Sequence, residues 1–278
     1  MINNYSIIRS NGFTLVEMAI VLVILGFVLA ALLLPLQAQR QQIAQAQTEN
    51  TLANAKRALM GFAQSRGRLP CPATAASNGM ELPLGGTTAA NPLCNQQTGF
   101  LPAATLGIQP VDAQGFALDA WNNRIRYAVT QNSSAVIVNP ATADFTSNIA
   151  DNVATPLVNE ADGMNALGIA NLTPDLRVCN SATGVTATNC SAALPEANYA
   201  INNAVAVIYS TGATGALGFA GRPDETENLN AVGVGQIDTV FVSHDISLAA
   251  APNEFDHIVT WISPFVLYNA MIEAGQLH

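Results

Sequence analysis

Charge is scarce in this sequence. Lys, Arg, Asp and Glu make up 10% of its 278 residues, against roughly 25% in ordinary soluble domains. Ala, Asn, Thr, Gly and Ser fill the gap, giving a polar but weakly charged surface of the kind expected of secreted or surface proteins. Ten basic residues face nineteen acidic ones, for a formal net charge of −9. The densest basic group, Lys56, Arg57, Arg66 and Arg68, lies near a predicted helix end. Phosphate contacts need Lys and Arg gathered on one face, so the composition argues against a general nucleic-acid-binding role. There are only three histidines, and no GxSxG, HExxH or GK[ST] run occurs, which leaves the common hydrolase, zincin and phosphate-loop chemistries without a motif. Ser243-His244-Asp245 invites a triad reading, but adjacent residues on a strand face opposite ways and a triad usually draws on distant positions. The chain therefore reads as a protein without enzymatic activity.

Cysteine is scarce too. Cys71, Cys94, Cys179 and Cys190 form no CxxC, and no histidine lies near them, which argues against a zinc site. In an exported chain an even count implies two disulfides, and four cysteines allow three pairings. The local scheme, Cys71–Cys94 and Cys179–Cys190, is preferred, because each bridge closes a loop with little core of its own. Four buried free thiols are the alternative.

Apolar residues are concentrated at the start. Phe13 to Leu36 is almost wholly apolar, longer than the core of a secretory signal peptide and long enough to span a bilayer, which takes about 20 residues. A plain anchor does not explain Glu17, because a carboxylate inside an apolar segment is costly and is functional by default. Positive charge hardly orients the segment, with Arg9 before it and Arg40 shortly after it.

Gly12-Phe13-Thr14-Leu15-Val16-Glu17, behind a short polar leader containing Arg9, resembles the recognition site of type IV prepilins and type II secretion pseudopilins. The resemblance covers roughly the first 60 residues. It implies cleavage between Gly12 and Phe13 by prepilin peptidase, a membrane-embedded enzyme, and N-methylation of Phe13. It also implies that Glu17 pairs with the new Phe13 ammonium, of its own chain or a neighbour's, during assembly. A buried charge left unpaired is far costlier than a pair. The other reading of Glu17 is a carboxylate that reaches the headgroup region.

Gln37 to Gln64 is rich in Gln and Ala, and Leu52, Ala55, Leu59 and Phe62 recur at helical spacing. Pro35 predicts a kink, and Gly67 with Pro70 a stop. The expected organisation is a leader over 1–12, a membrane-spanning assembly helix over 13–36, its amphipathic continuation over 37–66 and a head over 67–278. Asp119-Ala120-Trp121-Asn122-Asn123 is similar to an Asp-Pro-Trp-Gly-Asn turn of major pseudopilins, with Ala120 and Asn122 in place of Pro and Gly. Strands are predicted at Ile125–Val129, Ala135–Val138, Val205–Tyr209, Thr239–Val242 and Ile258–Ile262, bounded by turn residues. Residues 139–203 read as a long insertion with little regular structure. Ser263 and Pro264 open a predicted C-terminal helix on which Phe265, Tyr268 and Ile272 share a face, and Gly275 closes it.

The fold class expected is α+β: a long N-terminal helix, membrane-spanning in its first half, packed on an antiparallel sheet in a pilin-like head, with a loop-rich insertion and a short terminal helix. Asp224, Glu225, Glu227 and Asp238 form an acidic cluster in a loop. Some major pseudopilins bind calcium in a head loop, so calcium is the one cation suggested, a solvated acidic turn being the other reading. No other cofactor is implied. The function expected is that of a minor pilin or pseudopilin, with prepilin peptidase, other pilin subunits and an inner-membrane assembly platform as partners. The expected location is the bacterial inner membrane in a single pass, with the head in the periplasm, and then a pilus or pseudopilus fibre. The alternative is an adhesin-like tip subunit that binds a surface ligand through 139–203.

Overall fold

The computed structural model describes Gly12 and residues 14–83, 94–130, 145–148, 163–192, 198–229 and 238–278. Side chains of residues 30–38 are not described. The predicted strand Ala135–Val138, Arg9, Phe13 and most of the leader lie outside these residues. The chain divides into residues 1–46 and residues 47–278.

Helix α1 runs from Leu15 to Arg66, through Pro35. Its described apolar run, Leu15 to Leu29, includes Glu17 and is exposed along its length. Among the described residues no helix is long and apolar enough to cross a membrane. This corrects the expectation of a transmembrane first half, and the single-pass inner-membrane location that rested on it falls as well.

The head, residues 47–278, is built around the second part of α1. Thr48, Leu52, Ala55, Leu59 and Ala63 are all buried and repeat at three- and four-residue spacing, so they line one face. Phe62, assigned to that face from the sequence, is only partly buried and takes the Arg68 guanidinium over its ring at 5.2 Å. Gly67 ends the helix in the left-handed region at φ 71°, and its amide donates to the Ala63 carbonyl at 2.8 Å.

Among the described residues seven strands follow: β1 Thr98–Phe100, β2 Arg126–Val129, β3 Leu176–Cys179, β4 Tyr199–Ala204, β5 Ala206–Ser210, β6 Val240–Val242 and β7 Ile258–Ile262. Short helices α2 Ala103–Leu106, α3 Met164–Leu167, α4 Pro223–Glu227 and α5 Pro264–Glu273 stand between and after them. β1-β2-β5-β7 form an antiparallel sheet, with Tyr127 opposite Ile208 and Val207 opposite Trp261. β4-β3-β6 form a second sheet, in which β3 and β6 are parallel with Val178 opposite Phe241.

The two sheets make a layered head. Every residue of β5 is buried. Ala206 and Ile208 join the cluster that contains Leu52 and Leu59 of α1. Val207 and Tyr209 join Leu176, Val178 and Phe241 of the second sheet. Strand side chains alternate faces, so β5 packs a helix on one side and a sheet on the other. The single antiparallel sheet expected from the sequence is therefore corrected to two sheets, one containing a parallel pair. The loop-rich insertion is corrected as well, because α3, β3 and all of β4 but its last residue fall within 139–203. β3 escaped notice because its four residues sit among Asn, Thr and Ala, yet both of its faces are covered.

Cys71 is bonded to Cys94 and Cys179 to Cys190. Each bridge limits an otherwise coreless loop in the unfolded chain, worth about 2–4 kcal/mol. The second packs under β6 with Val240, Val242 and Phe255. Helix α5 buries Pro264, Leu267, Tyr268 and Met271, while Phe265 and Ile272 stay exposed. The buried face is thus rotated from the one expected. The Gly275 and Gln276 amides close the helix on the Ile272 and Met271 carbonyls, a paired C-terminal cap.

Candidate functional site

The N-terminal motif is a helix start. The Glu17 amide donates to Thr14 Oγ1 at 3.3 Å, and the Thr14 amide and hydroxyl donate to Glu17 Oε2 at 2.8 and 2.9 Å. Thr14 is the N-cap and Glu17 the third helical residue, so the pair forms a reciprocal capping box. Glu17 thereby stabilises the first turn, a local role contained in neither the assembly reading nor the headgroup reading of this carboxylate. A Thr three residues before a Glu at the head of an apolar run was the available signal. Gly12 lies just before this turn, with open space around it. Phe13 is outside the described residues.

The four acidic residues considered for calcium do not gather into a cage. One Asp224 oxygen accepts from the Ala182 amide at 2.6 Å, and the other faces His244 Nε2 at 3.1 Å. Asp238 accepts from the Val240 amide at 3.2 Å, and Glu227 stands at the end of α4. Glu225 turns inward instead, to Asp256 and His257, and one ligating atom from each of these three lies within 4.8 Å of the others. No sequence pattern joins Glu225 to Asp256 and His257, and the Ser243-His244-Asp245 run is not part of their cluster. That run forms no triad, because the two ring nitrogens of His244 face the Asp224 carboxylate and the Asp245 backbone carbonyl.

The inward cluster sits where α4, the approach to β7 and the turn after β5 meet. Glu225 Oε1 accepts from the Asp256 amide at 3.0 Å, and Asp256 Oδ2 accepts from the Thr214 amide at 2.8 Å. Arg222 reaches Glu225 Oε2 at 3.4 Å and Glu254 at 2.7 Å. Burial pushes the Glu225 carboxyl up to about 7, with the Asp256 charge adding to the effect. Burial also raises Asp256 and depresses His257 to about 3, helped by Arg126 and Arg222. Gly212 carries φ 65°, and a Cβ there would meet Asp256 Oδ1 at 2.3 Å, so this position requires glycine.

The Asp119 turn lies on the other side of Gly212. Asp119 Oδ1 accepts from the Trp121 and Asn123 amides at 2.9 and 2.8 Å, and Oδ2 accepts from the Ser210 hydroxyl at 2.6 Å. Asn123 Nδ2 donates to the Gly212 carbonyl at 2.6 Å. Asn122 adopts φ 67°, a conformation open to Asn as well as Gly, which is why Asn serves where the similar pseudopilin turn has Gly.

Comparison with curated proteins and with solved structures gives no match. Residues 8–33 match the family model described as the prokaryotic N-terminal methylation motif. The chain thus carries a prepilin-type N-terminal methylation motif, consistent with a non-catalytic structural protein of the pilin and pseudopilin kind.

Proposed function

We propose that the chain is a minor structural subunit of a type IV pilus or type II secretion-like fibre. Prepilin peptidase cuts between Gly12 and Phe13, Phe13 is N-methylated, and the subunit enters the fibre through α1 beside other pilin subunits. The observation that carries this reading is the methylation motif over residues 8–33, placed directly on the capped start of α1. Two features support it. The Glu17 carboxylate is bound to Thr14, the neighbour of Phe13, so the ammonium freed by cleavage arises beside an exposed anion. The apolar side chains of residues 15–29 are exposed around the whole helix. A helix that is apolar all round is a buried helix, and in a fibre equivalent helices of neighbouring subunits would bury it.

Intact mass and N-terminal analysis of the full-length chain, made with and without a prepilin peptidase, tests the proposal. A chain that begins at N-methylated Phe13 only when the peptidase is present is the expected result. A chain still beginning at Met1 in both preparations overturns it.

A further inference from the structure

The Glu225–Asp256–His257 cluster has unfinished chemistry. Among the described residues Asp256 Oδ1 and His257 Nε2 are buried without a hydrogen-bond partner, and both residues are more than nine-tenths buried. Buried polar atoms are almost always satisfied, so the cluster is built to take something. Two carboxylates and an imidazole suggest a divalent cation, but the neighbour of His257 argues otherwise.

Asn228 Oδ1 accepts from the Val242 amide at 2.6 Å, and its Nδ2 donates to the Val242 carbonyl at 2.9 Å. These two bonds fix which way the side-chain amide points. Its remaining hydrogen is aimed at His257 Nδ1, 3.0 Å away. Nδ1 is therefore the acceptor, and in the neutral ring Nε2 carries the proton. A metal-bound histidine normally donates from its other nitrogen to an acceptor. Here a metal on Nε2 would leave an imidazolate whose Nδ1 still accepts from Asn228.

The charge balance points the same way. Glu225, Asp256 and Glu254 converge on this joint from α4 and the strand approach. The facing cation is Arg222, engaged by Glu225, Glu254 and the Gly218 carbonyl. Arg126 of β2 lies over the Phe100 ring at 4.7 Å, and Asp119, beyond Gly212, is satisfied by its own turn. Asp224, next to Glu225 on α4, is turned to His244. Two ionised carboxylates cannot comfortably share so dry a site.

We infer that this cluster is a proton site: Glu225 and Asp256 hold one proton between them in mildly acidic solution and release it to solvent as the solution turns alkaline. The shared O–H supplies the partner that Asp256 Oδ1 lacks, and the neutral His257 ring adds no charge to the pair. Loss of the proton leaves two anions against one shared arginine and loosens the joint between α4, the turn after β5 and the start of β7.

Carboxyl carbon-13 NMR of the full-length chain, labelled at Glu and Asp and titrated with and without millimolar Zn²⁺ or Ca²⁺, tests the inference. Either Glu225→Gln or Asp256→Asn identifies the signals. Beside the Asp175 transition, which persists in both variants, the expected result is a transition near pH 7 that disappears in either variant and is unmoved by the metal ions. Ionisation of both carboxyls below about pH 5, as for ordinary side chains, overturns the proposal. A transition abolished by Zn²⁺ or Ca²⁺ also overturns it, because the cluster would then be a metal site.

Discussion

Arg68 carries a large local consequence for one residue. Its guanidinium makes a bidentate pair with Glu81 at 2.8 Å in both contacts, with little of either side chain exposed. Glu81 also accepts from the Cys71 amide at 3.1 Å, so the pair anchors the entry to the first disulfide. Removing one partner of such a pair leaves a buried charge unanswered, whereas replacing both with apolar residues often costs little. Glu81→Ala should therefore destabilise the head by about 3–5 kcal/mol in denaturant unfolding. The double variant Arg68→Met with Glu81→Leu should recover most of that loss. From the sequence Arg68 looked like part of a basic group. Its role was illegible because its partner lies thirteen positions away, in a segment with no periodic pattern.

Among the elements, α1 was the most legible. Leu52, Ala55 and Leu59 announced a buried face by spacing alone, and the face is buried. Leu59→Ala should cost about 2–5 kcal/mol, and Phe62→Ala should cost less, since Phe62 lies at the margin beside Arg68. Paired urea titrations would show the difference as separate midpoints. β2, β5, β6 and β7 were legible as short β-branched or aromatic runs. β5 also carries a signal of double burial: Ala-Val-Ile-Tyr is continuously apolar, as strands covered on both faces are. β1, β3 and β4 were not legible, because three to six residues containing Gly, Arg or Asn give no alternation to count. The disulfide loops could be placed by cysteine arithmetic, but the inward cluster could not. Glu225 stands 31 positions from Asp256, and only the fold brings them together. The apolar letters of residues 13–36 predict a span, whereas among the described residues no helix is long and apolar enough to cross a membrane.

For the whole head, buried ionisable groups set the response to pH. Asp175 is pushed up to about 7, chiefly by burial, as is Glu225, from unfolded values of roughly 4. Between those values the native head binds more protons than the unfolded chain, so stability falls as pH rises toward 7. His257 acts in the opposite sense, because its value falls to about 3 from roughly 6.5, and it adds stability as pH rises through that interval. Two carboxyls outweigh one imidazole where the intervals overlap, and the imidazole stops offsetting them above roughly pH 6.5. The thermal midpoint of the full-length chain should be higher near about pH 5 than near about pH 8. A midpoint that climbs steadily across that range would contradict this assignment of the buried groups.

The layered packing of β5 also has a consequence for the order of events during synthesis. α1, the helix that β5 must cover, emerges first. Its neighbours in the sheet come from far apart: β2 ends at Val129, and β7 begins at Ile258. Closing such distant pairings is slow, because the chain must pay for the loops before the contacts reward it. β7 and α5 supply Ile262, Leu267 and Met271 to the core around α1, and they are made after the other strands. The core around α1 therefore lacks its final wall until β7 and α5 have emerged, and the head closes only after they do.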